Sequence, residues 1–196
     1  MAKAKFYSTE QALNAIFGAS IPLFAQLGYS GVSVRQVANA VDISIATIYH
    51  HFENKENLYL QTIKASFKNK AEEIDQAFHL GGSPQEQLHR FIFGFTKVLS
   101  EDSNFERLIH REMLEGNRGR LQTIVANVFE GQFLLVMGLA EKLFKDKEPH
   151  MTAMSIFSLI FFHIETSTIR EFFPGYKSEY KDPKVIAEHI IQFING

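Results

Sequence analysis

Between Val32 and His51 the chain reads Val-Ser-Val-Arg-Gln-Val-Ala-Asn-Ala-Val-Asp-Ile-Ser-Ile-Ala-Thr-Ile-Tyr-His-His, and this stretch constrains the fold more than any other. Ser33 is a good N-cap, and Gln36 three residues on completes a capping box. Val34, Val37, Ala38 and Val41 then fall on one helical face. Asp42 breaks the pattern. Ser44 caps a second helix, which carries Ile48 on its inner side. A first helix of about two turns, a gap of about three residues and a second short helix make a helix-turn-helix. The second helix of such a pair can enter the major groove of DNA.

The flanks sharpen the reading. Upstream, Phe24-Ala-Gln-Leu-Gly-Tyr29 is an apolar helix end stopped by Gly28. Downstream come Thr47-Ile-Tyr-His-His-Phe52 and Glu53-Asn-Lys-Glu-Asn-Leu58. Over residues 9–60 these segments resemble the N-terminal domain of the TetR family of transcriptional regulators. The resemblance implies an all-α chain of about nine helices, with a three-helix DNA-binding domain at residues 1–53. A helical bundle at 54–196 would bind a small molecule and dimerise. The chain departs from the family at Pro22, which usually is not proline, and at Asp42, which usually is glycine. Pro22 predicts a kink or 3₁₀ turn near Gly18–Pro22. Asp42 is expected to take a left-handed conformation at some cost.

The formal net charge is −2, which is unpromising for a DNA partner until it is divided. Residues 1–70 carry +3 and the remainder −5, a modestly basic head on an acidic body. The absence of cysteine excludes a disulfide scaffold and thiolate chemistry and fits a reducing cytoplasm. The first ten residues lack the apolar core of a signal peptide. No stretch reaches about 18 uninterrupted apolar residues, so no membrane partner is expected.

Helical periodicity continues along the chain. Helix 9–27 has a stripe of Leu13, Ile16, Phe17, Phe24 and Leu27. Asn54 caps a helix reaching about His79, and Gly81-Gly-Ser-Pro84 stops it. Further helices are expected over 84–100, 104–115, 118–145, 150–172 and 183–195. The eighth and ninth, 150–172 and 183–195, are apolar enough to form a four-helix dimer interface with their copies.

The resemblance assigns DNA contacts to Ser33, Arg35, Ser44, Ile45, Ala46, Thr47, Tyr49, His50 and Lys55. The recognition helix has no Arg or Lys, so bidentate reading of guanine by a basic side chain is not expected from it. Thr47 can bond a base edge or phosphate, and Ile45 and Ala46 can touch thymine methyls. Lys55 sits in a first helical turn, where free N–H groups already favour phosphate. In the body, Phe91, Phe95, Met113, Phe133, Met137, Phe157 and Phe161 either line an apolar ligand site or make plain core. Glu112 lies on the apolar face of its helix. Either it holds a cationic or hydroxylated ligand, or it bonds to His110 or to an arginine. His163 is a second polar ligand candidate, with a core or interface histidine as its plainer reading.

The resulting expectation is a ligand-responsive, homodimeric DNA-binding regulator, a repressor on a palindromic double-stranded operator. No metal or cofactor is expected: His163 and Glu165 fall on different helix faces. Neither a Gly-rich phosphate loop nor a Gly-x-Ser-x-Gly motif is present to support an enzyme. The alternative is a TetR-like module that binds a small molecule or protein without reading DNA, which the weakly basic head keeps open.

Overall fold

The helix caps written into the sequence are made. A computed structural model describes residues 8–195, which are helical with no strand among them. The run 1–7, expected to carry no leader, lies outside the described residues. Helix α1 spans Thr9–Gly31, α2 Val34–Val41, α3 Ile45–His51 and α4 Lys55–Phe78. Ser33 and Gln36 form the reciprocal capping box at the start of α2, and Ser44 Oγ accepts from the Thr47 amide at the start of α3. Asn54 Oδ1 accepts from the Asn57 amide at 2.8 Å and opens α4. Asp42 closes α2 in the left-handed region, at φ 59° and ψ 48°, as expected of the residue standing in for glycine.

Helices α5 (Pro84–Glu101), α6 (Ser103–Glu115) and α7 (Arg118–Ile124) follow, then a π-helical turn at Val125–Phe129 and α8 (Glu130–Leu143). Last come α9 (Pro149–Glu165), the short α10 (Ser167–Arg170), a 3₁₀ turn at Ser178–Lys181 and α11 (Pro183–Asn195). These elements form two compact units. One comprises the chain up to Lys68 with Asn104–Val128; the other comprises Asn69–Ser103 and the chain from Phe129 onward. In the first, α2 packs on α1 and α3 around Ile16, Phe24, Val37, Ala38, Ile48 and Phe52, all buried. Phe67 of α4 stacks on Phe105 of α6 with ring centroids 4.7 Å apart. In the second, α5 packs against α8, α9 and α11.

Three local expectations are corrected. The backbone keeps helical torsions through Pro22, and the break in α1 falls at Gly28. The carbonyl that the proline ring meets is that of Gly18, one turn earlier, and the torsions there stay helical as well. The long helix expected over 118–145 widens at Val125–Phe129, where the Asn127 side-chain Nδ2 donates to the Thr123 carbonyl at 2.7 Å, and it ends at Leu143. The helix expected over 150–172 stops at Glu165. There Thr166 Oγ1 bonds back to the Phe162 carbonyl, and Arg170 donates to the His163 carbonyl, so the freed acceptors are satisfied.

Two helical runs, Thr9–Gly31 and Arg118–Leu143, are long and apolar enough to cross a membrane. Neither is an uninterrupted apolar stretch, since Gln11, Asn14, Arg120 and Glu130 punctuate them. Each turns Ile16 and Phe24, or Ile124 and Leu139, into a core. At Gly28 the backbone stands at φ 72° and ψ 176°, a region only glycine occupies without strain. A Cβ there would also sit 3.4 Å from Glu115 Oε1. Gly28→Ala is expected to cost about 1–3 kcal/mol, read as a lower melting temperature by circular dichroism.

Candidate nucleic-acid interface

Capping organises the face of the head. Ser33 Oγ accepts from the Gln36 amide at 3.2 Å and donates to Gln36 Oε1 at 2.9 Å. Ser44 Oγ accepts from the Thr47 amide at 3.0 Å and pairs with Thr47 Oγ1 at 2.9 Å. These hydroxyls hold the ends of α2 and α3, so Ser33, Ser44 and Thr47 are partly engaged within the protein. Ser33, Arg35, Ile45, Tyr49 and Lys55 line one shallow concavity of about 480 Å³. Ala46 and His50 are exposed on the same short helix outside that concavity, His50 resting edge-on against His51 at 5.2 Å. Burial lowers the pKa of Lys55, with Glu115 opposing and Arg120 adding to the fall.

Beneath Lys55 lies a charged cluster that the sequence announced only in part. Glu112 is buried on α6, and its partner is Arg120, whose Nε donates to Oε1 at 2.9 Å. Nη2 of the same guanidinium donates to Glu115 at 2.6 Å. Arg120 also lies 4.3 Å from the Tyr29 ring centroid and 5.8 Å from that of Tyr59. Burial alone would lower the Arg120 pKa, but the hydrogen bond and charge of Glu112, with Glu115, raise it. The Tyr59 phenol is pushed well above its ordinary range by burial first, then by the nearby charge of Glu112. Arg111 donates from Nε to the Ala25 carbonyl at 2.9 Å and from Nη2 to the Gln26 carbonyl at 2.7 Å. These are the acceptors left open where α1 breaks at Gly28.

The residues assigned to a ligand divide between the two units. Glu112 and Met113 belong to the first, where Glu112 is paired and Met113 is 53% exposed rather than inward. In the second, Phe91, Phe95 and Phe157 are buried. Phe95 meets Phe91, Phe157 and Phe161 at 5.5, 5.2 and 5.7 Å, and Phe133 meets Phe157 at 5.8 Å. The rings fill one another's space; Met137 beside them in sequence is half-buried. His163 lines a separate cavity of about 410 Å³ with Arg170, Tyr180, Ile186 and His189. Its Nδ1 lies 3.2 Å from Arg170 Nη2. A guanidinium can only donate, so Nδ1 accepts and the ring is neutral. Burial, then Arg170 and His189, hold its pKa below the usual histidine value. Among the described residues no group of three or more His, Asp or Glu is placed to hold a metal.

Residues 16–62 match the profile described as bacterial regulatory proteins, tetR family. IcaR of Staphylococcus aureus (strain Newman), the negative transcriptional regulator of the biofilm operon icaADBC, is 30% identical over 82 residues, 42% of this chain and 44% of that protein. The probable HTH-type transcriptional regulator YttP of Bacillus subtilis (strain 168) is 27% identical over 100 residues, 50% of this chain and 48% of that one. The matched stretch thus spans less than half the length of each relative. The fold is shared more widely. FadR of Bacillus subtilis, solved with stearoyl-CoA, superposes with a TM-score of 0.77 at 18% identity, covering 92% of this chain and 96% of that one. AibR, solved with isovaleryl coenzyme A and operator DNA, gives 0.70 at 17% identity over 92% and 96%. The capped helix pair lies inside the matched segment, so it is residues 16–62 that are similar to the tetR family of bacterial regulatory proteins.

Proposed function

We propose that this protein is a ligand-responsive transcriptional repressor that binds a palindromic operator as a homodimer. The observation that carries this reading is the capped α2–turn–α3 pair, which gathers Ser33, Arg35, Ile45, Tyr49 and Lys55 around one concavity. Arg35 and Lys55 neutralise phosphates and set register, and Ile45, Ala46 and Thr47 meet base edges. Ser33, Ser44, Tyr49 and His50 add neutral backbone contacts. Residues 1–53 serve as the reading head and 54–196 as the ligand-binding and dimerising part.

Dimerisation uses α9 and α11. Met151, Met154 and Phe162 leave one face of α9 apolar and open, and Phe193 does the same on α11 at 67% exposure. The exposure of Phe193 supports a partner helix there. The effector carries an apolar part, taken up among Phe91, Phe95, Phe133, Met137, Phe157 and Phe161, with His163 of the same unit as a polar candidate. Acyl-coenzyme A is the first class to try, because FadR and AibR were solved with such molecules.

The test is fluorescence anisotropy with a labelled duplex from the DNA upstream of the protein's own gene. Two cations per protomer, about four per dimer, give a slope of about −3.6 in log affinity against log salt, hence roughly a 150-fold loss between 50 and 200 mM. Binding that disappears when either half of the palindrome is scrambled supports the regulator. Weak, sequence-blind binding overturns it in favour of a module that does not read DNA.

A further inference from the structure

Tyr29 carries two cations over its ring. Its ring centroid is 4.4 Å from Lys55 Nζ and 4.3 Å from the Arg120 guanidinium carbon. Two positive charges on one ring repel each other, so the arrangement needs a counterweight, and Glu112 and Glu115 supply it through two separate guanidinium nitrogens. Arg120 is 7% exposed and Glu112 1%, so this fork is held out of water, where it keeps its strength. Its guanidinium carbon is thereby held 4.3 Å from the Tyr29 ring centroid, and the Tyr59 ring lies 5.2 Å from that of Tyr29, tilted against it. The second cation on the ring, Lys55, is a residue of the concavity read as facing DNA.

We propose, on the reading of Lys55 as a phosphate contact, that Arg120 is a positioning residue for DNA binding, acting through the Tyr29 ring to hold the Lys55 ammonium where a phosphate meets it. A lysine on a flexible four-carbon stem otherwise loses its rotamer freedom when DNA arrives; here the ring restricts it beforehand. The guanidinium's geometry is what the device uses. A lysine at position 120 retains charge but cannot bond two carboxylates in a fork and present a flat face to Tyr29. The assignment reaches the operator contact from α7, more than sixty residues along the chain from Lys55.

The experiment measures affinity and salt slope by anisotropy, using full-length protein and a labelled duplex selected from a randomised library with the wild-type protein. Melting temperature is recorded for every variant. Lys55→Ala is expected to lower the slope by about 1.8 for a dimer, which corresponds to about a 30-fold weaker affinity at 150 mM salt. Arg120→Lys and Tyr29→Leu are each expected to lower the slope by more than about 1. Adding either to Lys55→Ala should change affinity by less than about twofold, because the same contact is already lost. Tyr29→Phe, which keeps the ring, should rescue what Tyr29→Leu loses. If Arg120→Lys and Tyr29→Leu weaken binding with the slope intact, or add fully to Lys55→Ala, they act through fold stability alone and the positioning role is overturned. If Lys55→Ala itself leaves the slope unchanged, the phosphate contact and the positioning role fall together, while the wild-type titration still decides whether the protein is a regulator.

Discussion

Arg120→Ala is expected to destabilise the protein by about 3–5 kcal/mol, read as a shift of the urea unfolding midpoint at fixed protein concentration. The size follows from what is left behind. Glu112 is 1% exposed, and its Oε2 already lacks a hydrogen-bond partner. Removing the guanidinium strips Oε1 as well and leaves a buried carboxylate with no cation bonded to it. An uncompensated buried charge is among the few defects that cost this much. A control separates the charge from the packing. Glu112→Met combined with Arg120→Met removes both charges and restores apolar volume, so most of the lost stability is expected to return. Equal losses in the single and the double variant would show that Arg120 contributes through contacts with Tyr29 and Tyr59 and not through the ion pair.

Phe95→Ala is expected to cost about as much, 3–5 kcal/mol, by a different route. Phe95 is fully buried, and its ring meets three others within 6 Å. Truncation loses the transfer energy of the ring and leaves a void that neighbouring helices close only in part. Thermal melting monitored by circular dichroism reads the loss. The result also bears on the effector. A loss below about 1 kcal/mol would mark the aromatic cluster as loosely packed and ready to admit an apolar chain. A full loss marks it as core that a ligand must displace.

The fold was legible where the signals are local. Ser33 with Gln36, Ser44 and Asn54 bond to amides within three residues, so sequence alone specifies them. Asp42 declared its left-handed turn for the same reason. Pro22 was misjudged because whether a turn absorbs the proline ring is settled by the backbone around it, not by the proline alone. That five of the nine residues assigned to DNA share one concavity is a matter of tertiary packing. Glu112 stood out as a carboxylate on an apolar face, but its partner did not, because a turn at Gly116 with φ 66° folds α7 back before Arg120 can reach it. Arg111 gave no signal. Its role exists only because α1 breaks opposite it. For the phenylalanines, periodicity reports which face is apolar and is silent on whether the space between facing rings is filled.

The make-up of the first unit has a consequence for how the protein is born. Synthesis delivers the segment up to Lys68 first, yet the groups that complete it arrive on Asn104–Val128. Until then the carbonyls of Ala25 and Gln26 face water, and Tyr59 has no carboxylate beside it. The ribosome must first release residues 69–103, which belong to the other unit. The nascent head therefore matures late, out of the order in which it is written, and a chain stalled before Arg111 holds a helix-turn-helix with its supports missing.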